Sequence, residues 1–260
     1  MAEHQEMLKG IRSGITPGIS KIYLPTNTED CKALLGITPT EIFVLDMESG
    51  DAVGKVAGTT LTAVTPTFRY IYDNKYHVSY DSLHDKHWAL NTLTNSTDSF
   101  IHVIRTKIVS DSSTLQGFVY NGDETASMCW AIYLFGQIAI RFFNVLIRDV
   151  GVNTVQMAFN NTIDWPALYT GEFTIGLQID RAASTVRCRI SEGGRVIQEI
   201  SSSIAGFGVI DDDTCSFMYG IITLFGSNFG NAISYGLHAG GTQVEGADVL
   251  KNTFKRLGVE

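Results

Sequence analysis

Two histidines and an aspartate fall within four residues, His84, Asp85 and His87, and Trp88 follows directly. Imidazole nitrogens and a carboxylate are ligands for a transition-metal ion. Nothing else in the chain completes such a site, so the same residues also read as a polar loop. The densest acidic run is Asp211-Asp212-Asp213. Oxygen-rich loops hold calcium, which makes Asp211 and Asp213 the candidate metal ligands and Ca²⁺ the candidate ion. The run lacks EF-hand spacing, and adjacent acids point in different directions, so a solvated loop competes with that reading.

Sugar recognition calls for aromatic faces that stack on pyranose rings, with Asn, Asp and Gly nearby to hydrogen-bond the hydroxyls. Trp88 lies after the polar HDKH, and Trp165 lies in NNTIDWPALY. Trp88, Trp165, Asp164 and Asn161 are therefore the candidate carbohydrate-binding residues, against edge packing of the two indoles. Trp130, inside MCWAIYLF, reads as core. Tyr70 and Tyr72 share a face of an expected hairpin, where cross-strand packing accounts for them.

Catalytic chemistry finds little footing. A retaining glucanase needs two carboxylates about 5 Å apart. The nearest pairs along the chain are Asp46 with Glu48, which flank a turn, and Glu172 with Asp180, too far apart on one strand. No G-x-S-x-G is present. No catalytic residue is assigned, and a non-enzyme is expected. The four cysteines, Cys31, Cys129, Cys188 and Cys215, form no C-x-x-C pair. Cys129 and Cys188 sit in apolar strand-like runs, where buried free thiols are expected.

The formal net charge is −8. An acidic surface repels phosphate, so nucleic-acid binding is not expected. The longest apolar stretches are interrupted by Gly136, Gln137, Arg141 and Asn144, and are too short to span a bilayer. The first residues, MAEHQEMLKGIRSG, lack the apolar run of a secretory signal, so synthesis in the cytoplasm is expected. On that footing the N-x-[ST] sequons at Asn95 and Asn160 are read as chance matches.

The elements that would position these residues are mostly strands. Residues 1–40 stand apart as an N-terminal arm, with glycines and Pro17 in a loop. One short helix over 28–35 has capping-box spacing at its start and Gly36 at its end. From Glu41 the pattern turns to short runs of β-formers separated by Gly, Asn, Asp or Ser. A hairpin is expected across Asp73-Asn74, a tight turn at Asn121-Gly122, and a connection at Gly136-Gln137. Val249, Leu250, Phe254 and Leu257 have the spacing of a short C-terminal helix. The sum is an all-β antiparallel sandwich or jelly roll over residues 41–260.

Three stretches carry a family resemblance: FVLDMESGDAVGKVAGTTLT, GEFTIGLQIDRAASTVRCRISEGGRVIQE and the closing LFGSNFGNAISYGLHAGGTQVEGADVLKNTFKRLGVE. Together they resemble the concanavalin A-like lectin and glucanase superfamily, specifically its laminin-G-like domains. The resemblance implies two facing antiparallel sheets, with sugars or proteins bound on the curved outer face. Such a fold serves lectins, glucanases, adhesion modules and virion proteins. A fold of this kind without an export signal is expected in a virion, and a phage structural or decoration protein is the leading expectation. Its partners would be other virion or scaffold subunits, and glycans, in an oligomer or assembly. A free lectin domain and a glucanase-type hydrolase are the alternatives.

Overall fold

In the computed structural model of the protein, the described residues are 28–39, 41–46, 55–56, 59–60, 62–64, 69–72, 75–78, 87–90, 99–108, 116–122, 128–137, 140–149, 151, 153–159, 172–210, 216–219 and 231–259. They form antiparallel β-sheets with few helices.

One sheet, of eight strands among the described residues, runs in the order β15 (Arg195–Ser203), β14 (Thr185–Glu192), β13 (Glu172–Asp180), β8 (Phe100–Ile108), β17 (Asn231–Gly240), β6 (Lys75–Val78) and β5 (Arg69–Tyr72). Its eighth strand, β1 (Glu41–Asp46), also pairs with β17. The other sheet, of seven strands, runs β12 (Thr154–Phe159), β11 (Ile140–Arg148), β10 (Met128–Gln137), β9 (Gln116–Gly122), β16 (Ser216–Tyr219), β7 (His87–Leu90) and β4 (Thr62–Val64). A small ribbon joins β2 (Lys55–Val56) to β3 (Thr59–Thr60).

Alternation along each strand sends one set of side chains between the sheets. Phe100 and Ile104 of β8, Phe173, Ile175, Leu177 and Ile179 of β13, and Val186, Cys188 and Ile190 of β14 come from one side. Val119, Trp130, Ile132, Phe143, Val145, Ile147, Met157 and Phe159 meet them from the other. Trp130 is in the core, as its apolar run predicts, and Cys188 is a buried free thiol there.

A second apolar layer covers the opposite face of the eight-stranded sheet. Ile101 and Val103 of β8 and Tyr235, Leu237 and Ala239 of β17 form its floor. Its cover comes from both ends of the described chain: α1 (Thr28–Leu35) brings Cys31, Leu34 and Leu35, and α2 (Asp248–Arg256) brings Leu250 and Phe254. Leu257 and Val259 join it. This double burial explains why β13 is closed to solvent from Phe173 to Asp180.

Both helices end on glycine. Gly36, at φ 71°, donates its N–H to the Lys32 carbonyl, and Arg256 Nη1 donates 3.0 Å to the Leu34 carbonyl of the same helix end. At the end of α2, Gly258 N–H bonds to Lys255 O and Val259 N–H to Phe254 O. With Gly258 at φ 71° and Val259 packed in the same cluster as Phe254, this is a Schellman ending.

Two local expectations are corrected. Asn121-Gly122 is not a tight turn: β9 runs through it, with Asn121 opposite Trp130 and Phe217, and Gly122 opposite Met128 and Ser216. Gly136 and Gln137 are not a connection either; they pair with Arg141 and Ile140 inside the β10–β11 ladder. β5 and β6 pair as the two arms of the expected hairpin, with Tyr72 opposite Lys75, and Asp73-Asn74 lies outside the described residues. Gly193 and Gly194, at φ 56° and 85°, close the β14–β15 hairpin. The edge strand β15 carries a bulge: Ile190 pairs with Gln198 and Ser191 with Val196, leaving Ile197 extra. A bulge of this kind blunts an edge against pairing with another chain.

Among the described residues no helix is long and apolar enough to cross a membrane.

Candidate functional site

The sandwich leaves one sheet face without a helical cover among the described residues, the outer face of the seven-stranded sheet. Its composition follows from the pleat. Trp130, Ile132, Phe143, Val145, Ile147, Val155, Met157 and Phe159 face the core. The intervening residues, Ala131 and Tyr133 on β10, Asn144, Leu146 and Arg148 on β11, and Thr154, Gln156 and Ala158 on β12, therefore share the outer face. Register sets them side by side: Tyr133 opposite Asn144 opposite Ala158, Ala131 opposite Leu146 opposite Gln156, and Arg148 opposite Thr154.

Three of these side chains form one polar cluster. Gln156 Nε2 donates to the Tyr133 hydroxyl at 3.2 Å and to Asn144 Oδ1 at 3.1 Å. The cluster is uncharged and grades from buried to open. Ala131 and Asn144 are closed to solvent and Tyr133 is 6% exposed, whereas Gln156 and Thr154 are exposed. Burial pushes the Tyr133 phenol above its usual pKa, with the Gln156 bond acting the other way. A phenol and two carboxamides supply donors and acceptors with no net charge, a set suited to hydroxyl-bearing ligands. Arg148 is the only charged side chain among the described residues of this face of β10–β12.

The residues expected to carry function are placed as follows. Asn161, Asp164, Trp165, Asp211 and Asp213 lie outside the described residues, as do His84 and Asp85. Trp88 is a position in β7. It falls on the row Trp88, Tyr219, Val119, Ile132, Val145 and Met157, whose described members Val119, Ile132, Val145 and Met157 are core residues. Among the described residues no group of three or more His, Cys, Asp or Glu could hold a metal ion.

The buried carboxylates hold the fold. Asp149 Oδ1 accepts the Asn153 N–H at 2.7 Å, and its Oδ2 accepts Asn153 Nδ2 and the Gly208 N–H, each at 2.8 Å. Burial alone would raise its pKa, but these bonds hold it below the ordinary carboxylate value. Asp180 is treated alike by the Ala183 and Gly246 N–H groups and by Arg187, 2.9 Å away. Glu172 and Asp180 stand at opposite ends of β13, and Glu172 pairs with Arg105.

Sequence reasoning missed the Tyr133–Asn144–Gln156 cluster. The signal was present: each is the polar interruption of an otherwise apolar strand, in AIYLF, FFNVLIR and TVQMAF. In the sequence, Asn144 stands out only as a residue that breaks a hydrophobic stretch.

No family profile matches the sequence, and no curated protein matches it. The fold is similar to solved receptor-binding domains of botulinum neurotoxins. The serotype G binding domain superposes with a TM-score of 0.56 at 10% identity, over 82% of this chain and 50% of that one. The serotype D binding domain gives 0.57 at 12% identity, over 83% and 51%. The binding domain of neurotoxin DC in complex with SialylT gives 0.58 at 11% identity, over 85% and 52%. The same DC domain has also been solved with rat synaptotagmin II. At these identities the likeness is one of fold, and the chain spans about half the length of the structures it matches. It supports the two-sheet sandwich and carries no support for the laminin-G assignment or for a phage origin.

Proposed function

We propose that the chain is a non-enzymatic recognition module of the lectin-like, concanavalin A type. In this reading it binds carbohydrate on the outer face of the seven-stranded sheet, at β10–β12. The observation that carries it is the uncharged cluster of Tyr133, Asn144 and Gln156, buried at one side and open at Gln156. Preorganised neutral donors and acceptors that grade from buried to exposed can orient sugar hydroxyls without the desolvation cost of a charge. The fold likeness to receptor-binding domains, one of them solved with SialylT, agrees with a binding role. Against a glucanase stand the separation of Glu172 from Asp180 and their engagement by arginines. The virion setting expected from the sequence draws no support from the likeness, so the binding reading is preferred.

The test is a glycan array probed with the full-length protein and with Gln156→Ala and Tyr133→Phe. Selective binding to a sugar class, weakened about tenfold by Gln156→Ala as for loss of a ligand hydrogen bond, is the expected result. A folded protein silent across the array sinks the carbohydrate reading and turns attention to protein receptors.

A further inference from the structure

Three arginines among the described residues are neutralised by a carboxylate. Arg105 pairs with Glu172, Arg187 with Asp180 at 2.9 Å, and Arg189 with Glu199 at 2.6 Å. Arg189 also lies 5.7 Å from the Phe254 ring centroid. Arg148 differs. It is half-buried on the outer face of β11, and no carboxylate among the described residues pairs with it. Its cross-strand partner is Thr154, and Gln156 is the diagonal neighbour on the same strand and face. Diagonal neighbours lie about 7–8 Å apart at Cα, within reach of a long side chain. Its nearest sequence carboxylate, Asp149, is held by Asn153 and the Gly208 N–H.

A guanidinium with no carboxylate partner among the described residues, set beside neutral hydrogen-bonding groups on a chain of net charge −8, has a use that a purely neutral ligand would not exploit. The planar fork of arginine matches a carboxylate or a sulfate in two parallel hydrogen bonds. The acidic protein as a whole repels anions, so recognition of one needs a local cation. We infer that the β10–β12 face takes a glycan bearing an anionic group, a carboxylate or a sulfate, which Arg148 holds while Gln156 engages neutral hydroxyls. This inference rests on the carbohydrate-binding reading and specifies its ligand class.

The test uses the full-length protein, with 3′-sialyllactose, lactose 3′-sulfate and lactose as probes in calorimetric titrations. The first two distinguish a carboxylate from a sulfate, and lactose is the neutral control. At least one acidic probe is expected to bind about tenfold or more tightly than lactose, as charge-assisted bonds allow, and to weaken as salt is raised. Arg148→Gln is expected to lower that affinity to the level of lactose, and Arg148→Lys to retain part of it. Gln156→Ala is expected to weaken all binding. Both positions reach solvent, so an unchanged melting temperature verifies that the variants fold. If lactose binds as well as the acidic probes, and only Gln156→Ala matters, the anionic assignment falls while the carbohydrate reading stands. Failure of both acidic probes to bind also overturns the assignment. Acidic binding untouched by either substitution overturns the assignment and the location of the site together.

Discussion

His102 on β8 and His238 on β17 are direct cross-strand partners, with ring centroids 5.6 Å apart in the interior of the sandwich. Trp130 lies 5.3 Å from His102, and Phe100 lies 5.2 Å from His238. Both rings are almost wholly withdrawn from water. Burial disfavours the imidazolium in each case, and at His102 the neighbouring His238 adds to the effect. His238 is lowered to about 3, and His102 is shifted well down in the same direction.

That pair predicts a loss of stability in acid. The unfolded chain takes up protons at histidine near pH 6.5, whereas the folded chain resists until near the depressed value. Stability is therefore fully present above about pH 6.5 and falls as the pH drops from there toward about 3. At about pH 4.5 the His238 contribution alone is on the order of 2–3 kcal/mol, with His102 adding in the same sense. Melting curves from pH 7 to 4 should show the decline, and His238→Gln should flatten it. Parallel pH profiles for the two proteins would rule out the pair as the cause.

Gly176 predicts a packing limit. A Cβ there would lie 2.5 Å from Phe254 Cε2 and 2.6 Å from Leu250 Cδ1, so α2 rests directly on the β13 backbone. Gly176→Ala should cost about 1–3 kcal/mol by overpacking and loosen α2. A lower denaturant midpoint with faster proteolysis near the C-terminal helix is the expected result.

The two helices at the sheet's outer face predict unequal costs for their contacts. Leu35 is 2% exposed beneath α2, so Leu35→Ala should cost about 2–5 kcal/mol. Arg256→Ala removes one hydrogen bond to the Leu34 carbonyl from an exposed residue, worth about 1 kcal/mol. Urea unfolding of both variants measures the difference. Equal costs would mean that the helices are held by the bond rather than by the apolar contact.

Asp149 predicts a local release. It joins the turn at Asn153 to the loop at Gly208, so Asp149→Ala takes the acceptor from the Gly151, Asn153 and Gly208 N–H groups and from the Asn153 side-chain amide. Amide exchange should accelerate at Asn153 and Gly208, with a stability loss of about 1–3 kcal/mol. Unchanged protection at those two amides would show that the carboxylate is dispensable.

Strand existence was legible because alternation and β-branched residues act locally. GEFTIGLQID, the Gly193-Gly194 turn and the Arg69–Val78 hairpin all fold as their residues imply. Asn121-Gly122 does not turn, because its local preference is outweighed. There β9 has β10 on one side and β16 on the other, and two ladders of hydrogen bonds hold the dipeptide extended. The short helix at 28–35 was legible from its cap and its glycine stop, but not its burial against a helix more than two hundred residues later.

By itself, then, the sequence determined the class of fold, because hydrophobic periodicity and turn residues report on each segment separately. The candidate site was a matter of tertiary structure. Tyr133 and Asn144 stand 23 and 12 residues from Gln156, and only the antiparallel register of three strands puts their polar atoms in contact. The same holds for His102 and His238, ordinary polar residues in two distant strands until pairing places them opposite each other in the core. Register depends on which strands meet, and that is decided by the collective burial of both sheets rather than by any one segment.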